Sequence, residues 1–211
     1  MDGKSLIHLK SWEDMQTSLY SFSDTIDKIE EEIKNCKKCP LHKMRKNPVP
    51  GEGGHRKRVM FVGEAPGRRE DLLGRPFVGA AGKFLDELLS SIGLTREDVY
   101  ITNIVKCRPP NNRDPKDGEI AACSPYLDRQ IFILKPRIIC PLGRFAAKYI
   151  LEKYGFVMDS ISKIQGKIYR LDKILILPMY HPAAALYHQY LKDELRKSFN
   201  VLRTLIEEEG L

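Results

Sequence analysis

Hydrophobic and polar positions along the chain follow two alternating patterns. Short, almost continuously apolar runs are typical of strands buried on both faces, and four occur here, at 59–62, 99–105, 137–141 and 174–179. Around them, apolar residues recur at helical spacing and predict helices at 82–92, 116–134, 144–153 and 192–208. Strands that alternate with amphipathic helices form parallel sheets with helices on both faces. We therefore predict an α/β fold, a three-layer α/β/α sandwich with a central four-stranded parallel sheet.

The first part of the chain differs from the rest. Residues 1–23 are polar and show little periodicity. Apolar residues then recur at helical spacing from Ile26 to Ile33, and Asp24 is a suitable N-cap for that helix. We predict a flexible N-terminal extension, 1–23, followed by one domain, 24–211.

The composition excludes several classes of protein. No apolar run among the 211 residues reaches the roughly 18 that a transmembrane helix needs, and the start of the chain lacks the apolar stretch of a secretion signal. We expect a cytoplasmic protein without a membrane partner. The formal net charge is +7, and residues 42–58 hold six Lys and Arg against one Glu. Such clustering favours a polyanionic partner such as a nucleic acid.

Four of the five cysteines stand in a pattern that suits metal chemistry. They form Cys36-x2-Cys39 and Cys107-x15-Cys123, whereas Cys140 sits in an apolar run and is predicted to be a small buried hydrophobe. Four thiolates can hold a zinc ion or an iron–sulfur cluster. Zinc ribbons usually bring two close pairs, and only one pair is close here, so the spacing favours one bulky cluster. Four unrelated buried thiols are the alternative.

Unusual polar residues end three of the four predicted strands, at the edge where open α/β sheets bind ligands. They are Glu64, Asn103 and His181. The asparagine amide can read a base with adjacent C=O and N–H groups, and the histidine can donate to an oxygen that gains negative charge. Phe77, in the glycine-bracketed loop 74–79, can stack on a flat base. Each residue alone has an ordinary structural explanation, but together they predict one ligand pocket.

These motifs together resemble the family 4 uracil-DNA glycosylases, the iron–sulfur type of bacteria and archaea. The resemblance covers about residues 30–205 and rests on the cysteine spacing and on Gly63-Glu-Ala-Pro-Gly67, Gly74-Arg-Pro-Phe-Val-Gly79, Thr102-Asn103 and His181-Pro-Ala183. It implies the uracil-DNA glycosylase fold and a [4Fe–4S] cluster bound by Cys36, Cys39, Cys107 and Cys123. It also implies a monofunctional prokaryotic DNA-repair enzyme. Such an enzyme flips uracil out of DNA, hydrolyses its N-glycosidic bond and leaves an abasic site without strand cleavage.

The resemblance further implies roles for individual residues. Phe77 would stack on the flipped uracil, Asn103 would read its O4/N3 edge, and His181 would stabilise negative charge near O2. The turn from Gly63 to Gly67 would contact the base and the attacking water. Glu70 is the carboxylate predicted to help position this chemistry. The catalytic candidates are therefore His181, Glu64, Ala65 and Glu70.

This sequence departs from related glycosylases at three positions. Ala65 stands where others have a catalytic aspartate, so leaving-group and electrostatic stabilisation must supply most of the rate. Gly67 replaces a tyrosine that excludes the methyl group of thymine, and we expect Glu70 to take over that task. Tyr187 stands where many relatives have an arginine, and either Leu186 or Tyr187 is predicted to wedge into the DNA helix.

The expected partner is uracil-containing DNA, bound by a monomer. Gln16, Leu19 and Phe22 partly match the pattern of sliding-clamp ligands, without its second aromatic residue, so clamp binding and a disordered tail are both open. Two alternatives to uracil excision are a non-catalytic iron–sulfur module that binds DNA or senses redox state, and a sister glycosylase for other deaminated bases such as hypoxanthine. Asn103 favours uracil, because its amide matches the O4/N3 edge.

Overall fold

A computed structural model describes residues 24–211, whose strands form one mixed sheet between two layers of helices. The strands are β1 (Glu52–Gly53), β2 (Val59–Gly63), β3 (Tyr100–Asn103), β4 (Ile138–Pro141), β5 (Tyr169–Leu171) and β6 (Ile174–Ile176). The eight α-helices of this part of the chain are α1 (Ile26–Lys34), α2 (Arg68–Leu73), α3 (Ala80–Ser91), α4 (Asp117–Leu134), α5 (Arg144–Lys153), α6 (Ile161–Ile164), α7 (Pro182–Ala185) and α8 (Gln189–Glu208). Short 3-10 helices cover Pro40–Lys43, Arg96–Asp98 and Pro110–Asn112.

The strands follow the order β1-β3-β2-β4-β6-β5. The central four, β3, β2, β4 and β6, are parallel neighbours and correspond to the four apolar runs of the sequence. The predicted α/β fold is confirmed, but the sheet has six strands rather than four, because β1 and β5 add antiparallel strands at its edges. Both edge strands are short and incompletely buried, so they lack the apolar run that reveals a central strand.

Burial on both faces accounts for the apolar character of the central strands. In β2, Val59 and Phe61 pack into one core, and Met60 and Val62 pack into the other. Helices α3, α7 and α8 contribute to the first core, and α1, α4 and α5 contribute to the second. Each large apolar side chain that is fully buried stabilises the fold by about 1.5–3 kcal/mol. The three-layer sandwich therefore forms around strands that have no solvent-facing side.

The ends of the helices differ slightly from those predicted. Helix α5 has its predicted bounds, whereas α3 begins at Ala80 and α8 at Gln189, two and three residues before the predicted starts. Asp24 was predicted to cap α1, but Thr25 is the N-cap, and its hydroxyl accepts the N–H of Lys28 at 3.2 Å. Asp24 instead accepts a hydrogen bond from Arg129 of α4 at 2.7 Å. This long-range ion pair explains why the local capping prediction was wrong.

Two further expectations concern the N-terminal extension and membrane-spanning helices. The predicted extension, 1–23, lies outside the described residues, and so do Gln16, Leu19 and Phe22, so that clamp binding and the domain boundary stay predictions. Within residues 24–211, no helix is both long and apolar enough to cross a membrane.

Candidate active site

The ends of β2 and β3 and the turn that carries His181 meet at one edge of the sheet, around a pocket of about 310 Å³. Parallel register pairs Gly63 with Asn103 and so aligns the ends of the two strands. The pocket is lined by Glu64, Ala65, Pro66, Gly67, Glu70, Phe77, Ala81, Asn103, Pro109, Asn112, Arg113, His181 and Ala183. Every predicted catalytic or base-binding residue is in this set except Gly63, which contacts two of its members.

Gly63 allows the two predicted base-recognition residues to approach each other. A Cβ atom at this position would lie 2.3 Å from Oδ1 of Asn103 and 2.8 Å from the ring of Phe77. Those distances are far below van der Waals contact, and both neighbours are buried. The glycine is therefore required because backbone, amide and aromatic ring share one small volume, and not because the turn needs an unusual φ.

His181 forms the wall of the pocket beside Phe77. The two rings stack with their centroids 5.5 Å apart and their planes 25° apart. The N–H of Ala183 donates to Nδ1 of His181 at 3.1 Å, so Nδ1 carries no proton and the neutral ring holds its proton on Nε2. Burial lowers the pKa of His181 to about 4, although the charge of Glu70 opposes that shift. The imidazole is thus a neutral hydrogen-bond donor at physiological pH.

Glu64 has a carboxyl group whose pKa lies near neutral pH. Burial, together with the negative charge of Asp114, raises its pKa to about 7 against the opposing effect of the Arg144 guanidinium. Its side chain is only half-buried and lines the pocket. A carboxyl group with this pKa can accept a proton from water at neutral pH, which an ordinary glutamate does poorly.

Glu70 binds the loop that carries Phe77. Its Oε1 accepts hydrogen bonds from the backbone N–H groups of Val78 and Gly79, both at 2.9 Å. Its Oε2 lies 2.8 Å from the position that a Cβ on Gly67 would take, so the absence of a side chain at residue 67 makes room for this carboxylate. The contacts give Glu70 a positioning task within the pocket, and the exclusion of thymine by Glu70 stays a prediction.

One wall of the pocket was not predicted as part of the site. Pro109, Asn112 and Arg113 come from the 3-10 helix after β3 and its flanks, which the sequence indicates only as a Pro- and Asn-rich loop. Arg113 is held there by two hydrogen bonds to Glu119 of α4, at 2.8 and 2.6 Å. The density of Pro, Asn and Arg directly after a strand end was the available signal, since loops at that edge carry ligand contacts.

The two wedge candidates differ in exposure. Tyr187 is 84% exposed, whereas Leu186 is partly buried and packs against the core below α7 and α8. Both follow the His181 turn, and neither lines the pocket. An inserting side chain must be free to leave the protein surface, so the geometry favours Tyr187 over Leu186.

The four patterned cysteines converge at a second, smaller cavity. Cys36, Cys39, Cys107 and Cys123 all line it, and their thiols are free. Cys140 lies elsewhere in the core, fully buried as predicted. Among the described residues, no three His, Cys, Asp or Glu side chains come close enough to hold a single metal ion. Four thiols around one cavity suit a polynuclear cluster, which spreads its ligands over several metal atoms.

Two of the basic residues that line the cysteine cavity donate hydrogen bonds to its thiols. Arg45 donates to Sγ of Cys107 at 3.0 Å, and the backbone N–H of Lys106 donates to Sγ of Cys123 at 3.2 Å. Burial raises the pKa of Cys107 and raises that of Cys123 to about 12. Cys107 and Cys123 therefore hold their protons unless a metal replaces them, and the two donors are suited to stabilise the thiolates that would result.

The Lys106 side chain joins the cysteine cavity to the base-recognition strand. Its Nζ donates to the carbonyl oxygen of Asn103 at 2.7 Å, to Oγ1 of Thr102 at 2.6 Å and to Oε1 of Gln130 at 2.7 Å. The side chain is almost completely buried, and burial lowers its pKa to about 7. One residue therefore fixes the end of β3 against α4.

Comparison with known proteins gives the same picture along most of the chain. Residues 50–203 match the family model of the uracil DNA glycosylase superfamily. The type-4 uracil-DNA glycosylase of Sulfurisphaera tokodaii is 54% identical over 187 residues, which cover 86% of this chain and 85% of that protein. The type-4 uracil-DNA glycosylase of Archaeoglobus fulgidus is 50% identical over 186 residues, which cover 86% of this chain and 94% of that protein. The type-4 uracil-DNA glycosylase of Thermotoga maritima is 43% identical over 197 residues, which cover 91% of this chain and 100% of that protein.

Proposed function

Because this chain belongs to the uracil DNA glycosylase superfamily and to its type-4 branch, we propose that the pocket lined by Phe77, Asn103 and His181 receives a flipped uracil. The protein is a glycosylase enzyme that excises uracil from DNA, which is its substrate. The observation that carries the assignment of the pocket is the convergence of Phe77, Asn103 and His181 on one pocket, where Phe77 and Asn103 meet at Gly63 and His181 stacks on Phe77. Phe77 supplies an aromatic face, Asn103 supplies an amide, and His181 supplies a neutral N–H.

These residues suit the breaking of the bond between C1′ of the sugar and N1 of uracil. As that bond lengthens, its electron pair moves into the uracil ring, and negative charge grows on the ring oxygens. His181 donates its Nε2 proton in a hydrogen bond to O2, where this charge develops. The low pKa keeps the ring neutral, and the hydrogen bond from Ala183 to Nδ1 keeps the ring proton on Nε2. His181 therefore remains a hydrogen-bond donor throughout the step. Asn103 binds the opposite edge of the same ring.

The sugar becomes cation-like in the same step, and a water molecule completes the hydrolysis. The carboxylate of Glu64 stabilises the positive sugar. It also accepts a proton from the water as the oxygen of that water forms its bond to C1′. Ala65, at the position of the missing aspartate, cannot take this role, and its backbone borders the pocket instead. Glu64 is therefore the proposed base, and Glu70 keeps the Phe77 loop in place.

We assign a [4Fe–4S] cluster to Cys36, Cys39, Cys107 and Cys123. The cavity lined by all four thiols and the donors from Arg45 and Lys106 support this assignment. These cysteines lie in the segment after α1, in the segment after β3 and in α4, so a bound cluster would crosslink these three parts of the chain.

Strand cleavage would need a lysine nucleophile at the sugar. No lysine lines the pocket in the described part of the chain. Lys106 lines the cysteine cavity rather than this pocket, and its buried Nζ donates to three oxygen acceptors. We propose that the enzyme releases the base only and leaves the abasic strand intact.

Release of free base from labelled oligonucleotides tests this function. The substrates are U:G and U:A duplexes, single-stranded uracil DNA, a T:G duplex and a hypoxanthine duplex. We expect release of uracil, no release of thymine and intact abasic strands until alkali is added.

Tyr187→Ala is expected to slow uracil release from duplexes about tenfold and to change release from single strands less, because a wedge fills the place of a flipped base only in a duplex.

Other results on the same substrates would reject the proposal. Efficient hypoxanthine release with little uracil release would assign the pocket to other deaminated bases. Specific DNA binding by iron-loaded protein without any base release would favour the non-catalytic module. Equal effects of Tyr187→Ala on duplex and single-stranded DNA would remove Tyr187 as the wedge.

The pH dependence of the rate tests the role of Glu64. The rate of uracil release is expected to rise with pH through about 7 and to level off above it, because the ionised carboxylate is the active form. One pH unit below that pKa, about one tenth of the carboxyl groups are ionised and the rate falls about tenfold from the plateau. Single-turnover rates between about pH 5.5 and 9 measure this. His181 contributes no step in that range, since the low pKa keeps its ring neutral.

Glu64→Gln separates this residue from other titrating groups. The variant is expected to have a lower plateau and a flat profile through neutral pH, because the amide does not ionise. A profile that keeps the same inflection near pH 7 in Glu64→Gln would assign the titration to another group and contradict the proposed base.

A further inference from the structure

Phe77 has a backbone conformation that a phenylalanine rarely adopts. Its φ of +51° lies in the left-handed region, which strains a residue with a side chain and persists only where the surroundings enforce it. The conformation turns the Phe77 carbonyl towards α3, where its oxygen lies 1.7 Å from the position of a Cβ on Gly82. The same residue places its ring against Gly63 and His181. The direction of the ring therefore depends on a strained backbone.

Arg96 holds this backbone from outside the loop. It lies on the 3-10 helix Arg96–Asp98, and its Nη1 donates to the carbonyl oxygen of Pro76 at 2.9 Å. Its Nη2 donates to the carbonyl oxygen of Phe77. Glu70 binds the two following N–H groups, so that charged side chains fix the loop on both sides of the strained residue.

The guanidinium of Arg96 is itself held in one orientation. Its Nε donates to Asp86 of α3 at 2.7 Å, and its Nη1 donates to Glu52 of β1 at 2.7 Å. The side chain is 19% exposed. It lines a separate hollow of about 650 Å³ behind the loop and does not line the uracil pocket. Arg96 therefore reaches the pocket only through the loop that carries Phe77.

We propose that Arg96 is a positioning residue for uracil recognition, which keeps Phe77 in its left-handed conformation and so presents the ring to the flipped base. This inference rests on the proposed function of the pocket. The planar fork of an arginine can reach two successive carbonyl groups and two carboxylates at once, which the single ammonium of a lysine cannot do. Without that fork, the loop is expected to relax towards ordinary φ values and to move the ring out of register with the base.

The test is a double-mutant cycle between Arg96 and Phe77. Arg96→Met is expected to lower the single-turnover rate of uracil release by about 10-fold to 100-fold, the usual consequence of misplacing a contact group by about an ångström. Arg96→Lys is expected to fall between wild type and Arg96→Met. In a Phe77→Ala background, the same change at residue 96 is expected to cost less than about threefold, because the group through which it acts is gone.

Arg137→Met is the matched control. Arg137 also forms a partly buried ion pair, with Glu209 at 2.6 Å and with its own side chain 20% exposed, but it precedes β4 at the other end of the strands. Its loss is expected to change the rate less than about twofold. Thermal unfolding of all variants shows whether any of them has lost its fold. If Arg96→Met does not fold, the cycle is measured with Arg96→Lys instead.

A binding measurement works without catalysis. The preference for a duplex with non-cleavable 2′-fluorodeoxyuridine over a duplex with an abasic-site analogue is expected to fall about tenfold in Arg96→Met, with affinity for the abasic duplex unchanged. Equal losses of rate in the wild-type and Phe77→Ala backgrounds would overturn the proposal, and so would an effect no larger than that of Arg137→Met. Absence of uracil release by the wild type would instead reject the proposed function, while this preference still decides the role of Arg96.

Discussion

Replacing His181 by leucine is expected to lower the rate of uracil release by about 10²-fold to 10³-fold, the usual cost of losing one donor to a developing anion. The N–H of Ala183 occupies Nδ1, so that Nε2–H is the donor, and the low pKa keeps the ring neutral. The donor is thus in place before the bond begins to break, and it needs no protonation step. Single-turnover rates with a U:G duplex measure the loss.

The ratio of wild-type to His181→Leu rates distinguishes a neutral donor from a cationic one. A neutral imidazole predicts the same ratio at pH 6 and at pH 8. A ratio that shrinks as the pH rises would mean that an imidazolium does the work, and it would contradict the assigned tautomer. His181→Gln offers an amide N–H at a similar reach and is expected to recover part of the rate.

Replacing Cys123 by alanine is expected to abolish the binding of iron and to lower the free energy of unfolding by about 3 kcal/mol or more, or the thermal midpoint by about 10 °C. Cys123 lies within α4, and its partners Cys36 and Cys39 follow α1. Loss of one ligand therefore removes a crosslink between distant parts of the chain. Iron per chain, visible absorbance and thermal unfolding measure the effect.

Cys140→Ala is the control for this prediction. Its thiol is completely buried but lies outside the cysteine cavity, so it is expected to keep the iron and to cost only about 1 kcal/mol for the lost packing. Iron retention in Cys123→Ala equal to that in Cys140→Ala would contradict the assigned ligand set.

The parts of this fold that follow from the sequence are those in which one local pattern decides the structure. The apolar runs from Val59 and Ile174 predict central strands because a strand buried on both faces has no room for polar residues. Glu64, Asn103 and His181 could be grouped because parallel strands end at one edge of a sheet. The cysteine spacing predicted that four thiols meet in one place, and they do line one cavity, although only Cys36 and Cys39 are close together in the chain.

The parts that escaped prediction depend on contacts between distant residues. Asp24 satisfies the local rule for an N-cap, but Arg129, 105 residues away, offers a stronger partner. Arg96 looks like any surface arginine beside a turn, and its task becomes visible only when the fold brings the Pro76 and Phe77 carbonyl groups to it. The edge strands have no pattern of their own, because a neighbouring strand is what makes them strands.

The buried Nζ of Lys106 affects how the molecule opens. It ties the Asn103 carbonyl, the Thr102 hydroxyl and the Gln130 amide together in one network, next to Cys107 in the chain. Fluctuations that expose such a network break all of its bonds together, because a single unpaired partner would be costly in the interior. We therefore expect the tip of β3 and the segment around Cys107 to unfold locally as one unit, so that damage to the cysteines would weaken binding of the base.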